Sequence, residues 1–212
     1  MTEKTNEDLA FELNLSFNKT HLEMREYAFK NNVPIIEDSG LAFVETLIKV
    51  KQPKNILEIG TAIGYSSSRF SLVSNSHVTT IERDEIMEKE AIKNIKKLGL
   101  ESKVRLIKSD ALDAYNLVDD RLYDIIFIDA AKAQYQKFFE LYVPLLRKGG
   151  IIITDNMFFH GLIFDNISDK SRNLRQLVRK LKGYHSFLLE NPNFNTKVFN
   201  IGDGIAVTFK NE

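Results

Sequence analysis

The sequence contains no cysteine among its 212 residues, which excludes disulfide bonds and thiolate metal sites and fits a reducing compartment. The 29 basic and 29 acidic side chains give no net charge, so binding to nucleic acid or a membrane would require a local patch. No apolar run approaches the length of a membrane span, and the polar first residues lack the apolar core of a signal peptide. We expect a single cytoplasmic domain over 1–212, with N-terminal helices over 1–50 and a core over 54–212.

A strand that runs through glycines into a helix is predicted at 54–66, in the segment KNILEIGTAIGYS. Such a turn gathers backbone N–H groups and the positive end of a helix dipole, and its glycines let a ligand approach closely. The dinucleotide pattern G-x-G-x-x-G, counted from Gly60, would need a glycine at 62, where this chain has Ala62. The pattern present is instead E-x-G-x-x-x-G, formed by Glu58, Gly60 and Gly64.

A second acid, Glu82, ends the next apolar run, HVTTIE, 22 residues after Gly60. An acid at the end of the second strand can accept hydrogen bonds from both hydroxyls of a ribose. A glycine-rich turn alone often serves only to turn the chain tightly. Together with Glu82 it favours nucleoside binding, and it resembles motif I of S-adenosylmethionine-dependent methyltransferases more than a dehydrogenase.

The hydrophobic pattern predicts helices before residue 50 and then alternating strands and helices. The N-terminal helices are a first one with Leu9, Leu13 and Phe17 on one face, a second at about 21–30 and a third after Asp38. Strands are predicted at 55–60, 77–82, 103–108, 123–129 and 150–154, and helices at 64–74, 85–98, 133–146 and 168–182. Two β runs around 202–204 indicate a closing hairpin. The expected fold is α/β and Rossmann-like: a mostly parallel seven-stranded sheet with a terminal antiparallel hairpin and extra N-terminal helices.

Two further strands end in acids, at Asp129 and at Asp155-Asn156, and Lys132 follows the first of them. Because the carboxyl ends of parallel strands share one edge of the sheet, these side chains should converge beside the Gly60 turn. Two carboxylates and an amide suit a hard divalent cation. Taken singly, each acid is better explained as a helix cap or an ordinary turn, and Lys132 as a solvated side chain. Their joint placement favours a site.

The apolar segment VPIIEDSG, which contains Ile35 and Ile36, precedes the first strand by one helix. It is either plain core or a lid over the ligand, and we expect Ile35 and Ile36 to contact the cofactor.

The segments IGTAIGYS, TIERDE, FIDAAKAQYQKFF and ITDNMFFHGL resemble the cation-dependent O-methyltransferases, the family that includes catechol and caffeoyl-CoA methyltransferases, over about 33–209. The resemblance implies S-adenosylmethionine as cofactor and Mg²⁺ or Mn²⁺ as metal. The implied metal ligands are Asp129, Asp155 and Asn156, and the implied catalytic residues are Lys132, which assists deprotonation of the substrate hydroxyl, and Asp129. The implied cofactor contacts are Ile35, Ile36, Glu58, Gly60, Ser66, Glu82, Asp110, Ala111 and Asp129, with Glu82 on the ribose and Asp110 and Ala111 around adenine. Ser109 stands where relatives often carry glycine.

Within the family, the segments AKxQYQxFF and TDNxxFxGL and the basic helix after them resemble the bacterial branch that methylates 5-hydroxyuridine at the tRNA wobble position. This implies a tRNA anticodon loop as partner and a homodimer, formed through the N-terminal helices. In the predicted helix at 168–182, an apolar face is opposed by a basic stripe that could follow phosphates, made of Arg172, Arg175, Arg179 and Lys182. Aromatic side chains follow the metal ligands, where a flipped base could stack: Phe158, Phe159, His160 and Phe164. The plain alternatives are a solvated helix face and core phenylalanines.

Three functions therefore stay open at the level of the sequence. The first is an RNA-modifying O-methyltransferase, and the second is the same chemistry on a small catechol-like phenol. The third is a cofactor-binding module without catalysis, against which the intact Lys132 and the full set of metal ligands argue.

Overall fold

The computed structural model of the chain describes residues 18–118 and 121–211. Six α-helices lie in these ranges: α1 (Lys19–Asn31), α2 (Asp38–Lys51), α3 (Tyr65–Ser74), α4 (Glu85–Lys97), α5 (Tyr135–Tyr142) and α6 (Arg172–Glu190). Seven strands accompany them: β1 (Asn55–Ile59), β2 (His77–Glu82), β3 (Val104–Lys108), β4 (Tyr123–Ile128), β5 (Leu146–Thr154), β6 (Phe194–Phe199) and β7 (Ile205–Lys210). The predicted first helix, with Leu9, Leu13 and Phe17, lies outside the described residues.

The seven strands form one sheet in the order β3-β2-β1-β4-β5-β7-β6. Strands β1 to β5 run parallel, and β7 pairs antiparallel with both β5 and β6. This confirms the predicted fold class, including the closing hairpin. The strand order reverses at β1, which lies between β2 and β4, so the crevice for a ligand lies at the carboxyl ends of these strands.

Both faces of the sheet are covered, which explains the continuous apolar runs of its central strands. In β1, Leu57 packs into the core on the side of α5 and α6, while Ile56 packs into the core on the side of α1 to α4. Both side chains are fully buried. The burial of successive residues on opposite faces holds the end of β1 rigidly at the crevice.

Several boundaries differ from those predicted. The helix expected at 133–146 is confined to α5 and flanked by short 3₁₀ turns at Lys132–Gln134 and Val143–Leu145, and the second of these contains Pro144. Proline lacks the N–H that a continuing α-helix would need, so the chain leaves the helix and enters β5 at Leu146, not at 150.

The helix expected at 168–182 begins at Arg172 and continues to Glu190. Its start is set by Ser171, whose hydroxyl accepts a hydrogen bond from the Leu174 N–H, and its last turns bury Tyr184 and Leu188. Within the described ranges, no helix is both long enough and apolar enough to cross a membrane.

Candidate active site

A cavity of about 320 Å³ opens at the carboxyl ends of β1, β2 and β4. The structure brings most of the predicted cofactor contacts to its walls. The strap before α2 supplies Ile35 and Ile36, the ends of β1 and β2 and the start of α3 supply Gly60, Glu82 and Ser66, and the loop after β3 supplies Asp110 and Ala111. Ile36 is also buried in the core on the side of α1 to α4, so the strap is part of the core as well as of the cavity wall.

The Gly60 turn is shaped by contact with the neighbouring strand. Gly60 has a φ of 101°, and a Cβ at this position would lie 2.0 Å from the carbonyl oxygen of Asp129. Its N–H donates to the Ile81 carbonyl at 3.1 Å. Only glycine fits here, because both the backbone conformation and the close approach of β4 exclude a side chain. The same residue thus joins the cofactor loop to the strand end that carries the predicted metal ligand.

Glu82 is held in place by three backbone donors. Its Oε2 accepts from the Ala62 N–H at 2.8 Å, and its Oε1 accepts from the N–H groups of Arg83 and Asp84 at 2.9 and 2.8 Å. Oε1 already accepts two of these bonds, whereas Oε2 accepts one and keeps a second lone pair free. The carboxylate is therefore oriented in advance at the cavity wall, with one free acceptor site, on Oε2, for a hydroxyl.

Glu58 lies behind the turn and not on the cavity wall. Its side chain is fully buried, and its two oxygens accept from the hydroxyls of Ser66 and Thr80, both at 2.5 Å. Burial raises the pKa of Glu58 to about 8, against the opposing effect of these two hydrogen bonds. In this arrangement Glu58 fixes the start of α3, and its assignment as a direct cofactor contact stays a prediction.

Asp110 lies at the other end of the cavity from the acids that follow β4 and β5. It accepts from the Leu112 N–H at 2.9 Å and from the Arg83 guanidinium at 3.0 Å, and these bonds lower its pKa. The neighbouring Ala111 carbonyl accepts from the buried Tyr142 hydroxyl at 2.6 Å. Ser109 also lines the cavity. A charged acceptor and fixed backbone groups are thus available to a heterocycle.

The acids that follow β4 and β5 converge as predicted, because Ile128 pairs with Thr154 in the sheet. Asp129 and Asp155 are the next residue on each strand. Asn156 bridges them through two groups. Its side-chain Nδ2 donates to Asp129 Oδ1 at 3.0 Å, and its backbone N–H donates to Asp155 Oδ1 at 2.8 Å. Three side chains with oxygen ligands therefore meet at the rim of the cofactor cavity.

The negative charges of Asp129 and Asp155 are unfavourable in this position, because both carboxylates are buried and repel each other. Burial, reinforced by the negative charge of Asp129, raises the pKa of Asp155 to about 8, and burial also raises the pKa of Asp129 against the charge of Lys132. Within the described ranges no three His, Cys, Asp or Glu side chains cluster as a metal site, so a cation here would rely on the Asn156 amide as third ligand. The donor set fits a hard divalent cation, whose charge would offset the repulsion.

Lys132 lies on the same rim, in the 3₁₀ turn before α5. Its ammonium group lies 5.7 Å from the centroid of the Phe159 ring. Below it, Tyr135 is buried with a hydroxyl that has no hydrogen-bond partner among the described residues, and burial beside Asp129 and Asp155 raises its pKa well above the usual value. Tyr135 belongs to the segment AKxQYQxFF, but the sequence pattern assigned it no role.

The loop after Asn156 is anchored by the β6–β7 turn. The Phe158 N–H donates to the Asp203 carbonyl at 2.8 Å, and the His160 N–H donates to Asp203 Oδ1 at 2.6 Å. A Cβ on Gly204 would lie 2.7 Å from the Phe158 ring. Residues 203 and 204, expected only to turn a hairpin, thus position the predicted substrate loop. No local pattern could have indicated this.

The predicted basic stripe is exposed along α6, opposite the buried Val178 and Leu181. The stripe residues are Arg172, Arg175, Arg179 and Lys182. Arg175 also stabilises the preceding loop, since its Nη1 donates to the carbonyls of Ser168 and Lys170 at 2.9 and 3.1 Å. These side chains lie outside the cavity wall, but α6 packs against the 3₁₀ turn that carries Lys132.

The family model for O-methyltransferases matches residues 16–211. A flavonoid 3',5'-methyltransferase of Vitis vinifera is 29% identical over 88% of this chain and 81% of its own length. A candidate caffeoyl-CoA O-methyltransferase of Staphylococcus aureus is 44% identical, with a TM-score of 0.91 over 97% of this chain and 99% of that one. An O-methyltransferase of Bacillus cereus, solved with S-adenosylhomocysteine, shares the fold at a TM-score of 0.83 and 24% identity over 97% and 96% of the two chains.

The chain belongs to the O-methyltransferase family that includes the caffeoyl-CoA methyltransferases. The predictions of this family, of its fold and of an O-methyltransferase that uses S-adenosylmethionine are confirmed at this level.

Proposed function

We propose that the protein transfers a methyl group from S-adenosylmethionine to O5 of 5-hydroxyuridine at the wobble position of tRNA, with the help of Mg²⁺ or Mn²⁺. The observation that carries the chemistry is one continuous cavity that joins the oriented Glu82 carboxylate to Asp129, Asn156 and Lys132. A nucleoside cofactor and a deprotonated acceptor can meet there in line.

The cofactor half of the proposal rests on Glu82 and Asp110. Glu82 would accept from a ribose hydroxyl, while Asp110 and the backbone of Ala111 would face adenine. Ile35 and Ile36 would cover the cofactor and keep water out. Solved relatives of the same fold bind S-adenosylhomocysteine or S-adenosylmethionine, which supports this choice of ligand.

The acceptor half rests on the rim residues. Asp129, Asp155 and Asn156 would hold the metal, and a bound divalent cation lowers the pKa of a coordinated hydroxyl. Lys132 lies on the same rim: its ammonium group could stabilise the resulting oxyanion, and its neutral amine could accept the acceptor's proton. The Phe159 ring, whose centroid is 5.7 Å from Lys132 Nζ, offers an aromatic surface beside this group, which suits an aromatic or heterocyclic acceptor.

The assignment of RNA as the substrate rests on features outside the active-site cavity. In 5-hydroxyuridine the O5 hydroxyl lies beside the O4 carbonyl, so it presents the same pair of neighbouring oxygens as a catechol. The exposed stripe on α6 could carry phosphates close to the turn that bears Lys132. A small phenol is the second candidate, because a relative is named for flavonoid methylation, and catechol activity in vitro would not separate the two.

The decisive experiment is nucleoside mass spectrometry of tRNA from a strain that lacks the gene. We expect 5-hydroxyuridine to accumulate and 5-methoxyuridine to disappear. An unchanged tRNA profile would contradict the RNA substrate and favour the small phenol.

A charge-reversal series on α6 tests the same proposal with purified protein. Arg172→Glu with Arg179→Glu should lower the ratio of tRNA to catechol methylation, and raising the salt concentration should lower the same ratio in the wild-type protein. Lys180→Glu is the matched control for Arg172→Glu and for Arg179→Glu made singly, since it makes the same charge change as each of them on another flank of the same helix. Equal loss of ratio in the control would argue against a specific phosphate track.

We further propose a cytoplasmic homodimer formed through the N-terminal helices. Two large apolar side chains of α1 and α2 support it, since Phe29 is 87% exposed and Val50 is 81% exposed. Light scattering should give twice the chain mass of 24.4 kDa. A monomer at micromolar concentration would refute it.

A further inference from the structure

A second cavity, of about 550 Å³, is lined by different residues of two segments that also line the active-site cavity. The strap before α2 supplies Ile36 to the cofactor cavity and Glu37 to the second one. The loop after β5 likewise supplies Asn156 to the first cavity and Phe158 to the second. The two cavities therefore lie on either side of the same strap and the same loop.

The second cavity contains a buried acceptor without a donor. Asp203 is 8% exposed, and its Oδ1 accepts from the His160 N–H at 2.6 Å. Its Oδ2 accepts no hydrogen bond within residues 18–118 and 121–211, and His160 Nδ1 lies 3.7 Å from it. A buried carboxylate oxygen in this state is destabilising until a donor reaches it.

A second carboxylate on the wall of this cavity also favours a ligand that donates hydrogen bonds. Glu37 turns its carboxylate toward the hairpin, since a Cβ on Gly202 would lie 3.5 Å from Glu37 Oε2. None of the described residues that line this cavity is Lys or Arg, so two carboxylates disfavour a phosphate or any other anion there.

An aromatic surface completes the cavity. The rings of Phe158 and Phe164 lie 5.2 Å apart, and Phe164 is 71% exposed. An exposed phenylalanine beside a polar floor is the arrangement on which a nucleobase stacks while its edge is read by hydrogen bonds.

We propose that the second cavity binds the nucleobase next to the methylated uridine and selects a base with an exocyclic amino group. This inference rests on the proposed RNA substrate. Cytosine presents an amino group where uracil presents the O4 carbonyl, although the two rings have the same size. The amino group would donate to Asp203 Oδ2 and Glu37, whereas a carbonyl would face two acceptors.

The test uses short single-stranded RNAs that carry one 5-hydroxyuridine, flanked on the 5′ or the 3′ side by cytidine or by uridine. At one of the two flanking positions we expect kcat/KM to be about tenfold higher with cytidine than with uridine. This factor corresponds to one hydrogen bond to a charged acceptor. Asp203→Asn, which keeps Oδ1 for the His160 N–H, and Glu37→Gln should each reduce this ratio toward one. Glu101→Gln, at an exposed turn before β3, should keep it.

The ratio of the two RNAs is measured within each variant, so a general loss of activity does not affect it. Thermal melting and S-adenosylhomocysteine binding check that each variant is folded. Equal rates for cytidine and uridine neighbours, or an unchanged ratio in both variants, would overturn the inference and leave the proposed function standing. Methylation of catechol but of no RNA would overturn both.

Discussion

Replacing Glu82 tests the cofactor assignment most directly. Glu82→Ala removes the acceptor for a ribose hydroxyl and the carboxylate that orients the backbone of Ala62, Arg83 and Asp84. Each hydrogen bond to a charged acceptor is worth about 1.5–3 kcal/mol. One acceptor site, on Oε2, is free, and Glu82 is half-buried, so we count one bond at the lower figure. This figure, about 1.5 kcal/mol, corresponds to a loss of about tenfold in affinity.

Isothermal titration calorimetry with S-adenosylhomocysteine measures this loss. Glu101→Ala serves as control, because it removes an exposed glutamate from a turn outside the cavity, and it should bind like the wild type. NAD should not bind to either protein, since the second glycine of the dinucleotide pattern is replaced by Ala62. If Glu82→Ala and the wild type had equal dissociation constants, the assignment of Glu82 to the ribose would be refuted.

Three further predictions concern the metal ligands, the buried acid and the glycine turn. Asp155→Ala or excess EDTA should abolish turnover and spare most of the S-adenosylhomocysteine affinity, and full activity in EDTA would sink the metal proposal. Burial raises the folded-state pKa of Glu58 to about 8, above its unfolded value. The folded state therefore holds the proton more tightly than the unfolded chain, which stabilises the fold fully at acidic pH. This contribution is lost as the pH rises toward 8. Glu58→Gln should therefore flatten the fall in denaturant-measured stability between pH 5 and 8, about the range between these two pKa values, and an unchanged slope would contradict this. Gly60→Ala should destabilise by about 2 kcal/mol or more, whereas Gly183→Ala, in α6 with open space around it, should be neutral or slightly stabilising; equal melting temperatures would refute the steric argument.

Local patterns were sufficient to predict the sheet and the rim residues. Strands of a doubly wound sheet end at a common edge, so acids that directly follow apolar runs must meet there. Asp129, Asp155 and Asn156 therefore needed no tertiary information to be grouped, and Glu82 was placed by its distance from the glycine turn. The amphipathic period of α6 likewise separated its basic stripe from the buried face.

Contacts between distant parts of the chain decided the rest. Gly60 is required by the backbone of β4, and Glu58 is buried under hydroxyls instead of lining the cavity. Asp203 orients the loop that contains His160, 43 residues earlier in the chain. The same side chain lines the second cavity and keeps its other carboxylate oxygen buried there. No periodicity encodes such contacts, because they depend on which loops the folded sheet brings side by side. The sequence by itself determined the fold and the chemical groups at the rim, and the tertiary structure decided which of them face a ligand.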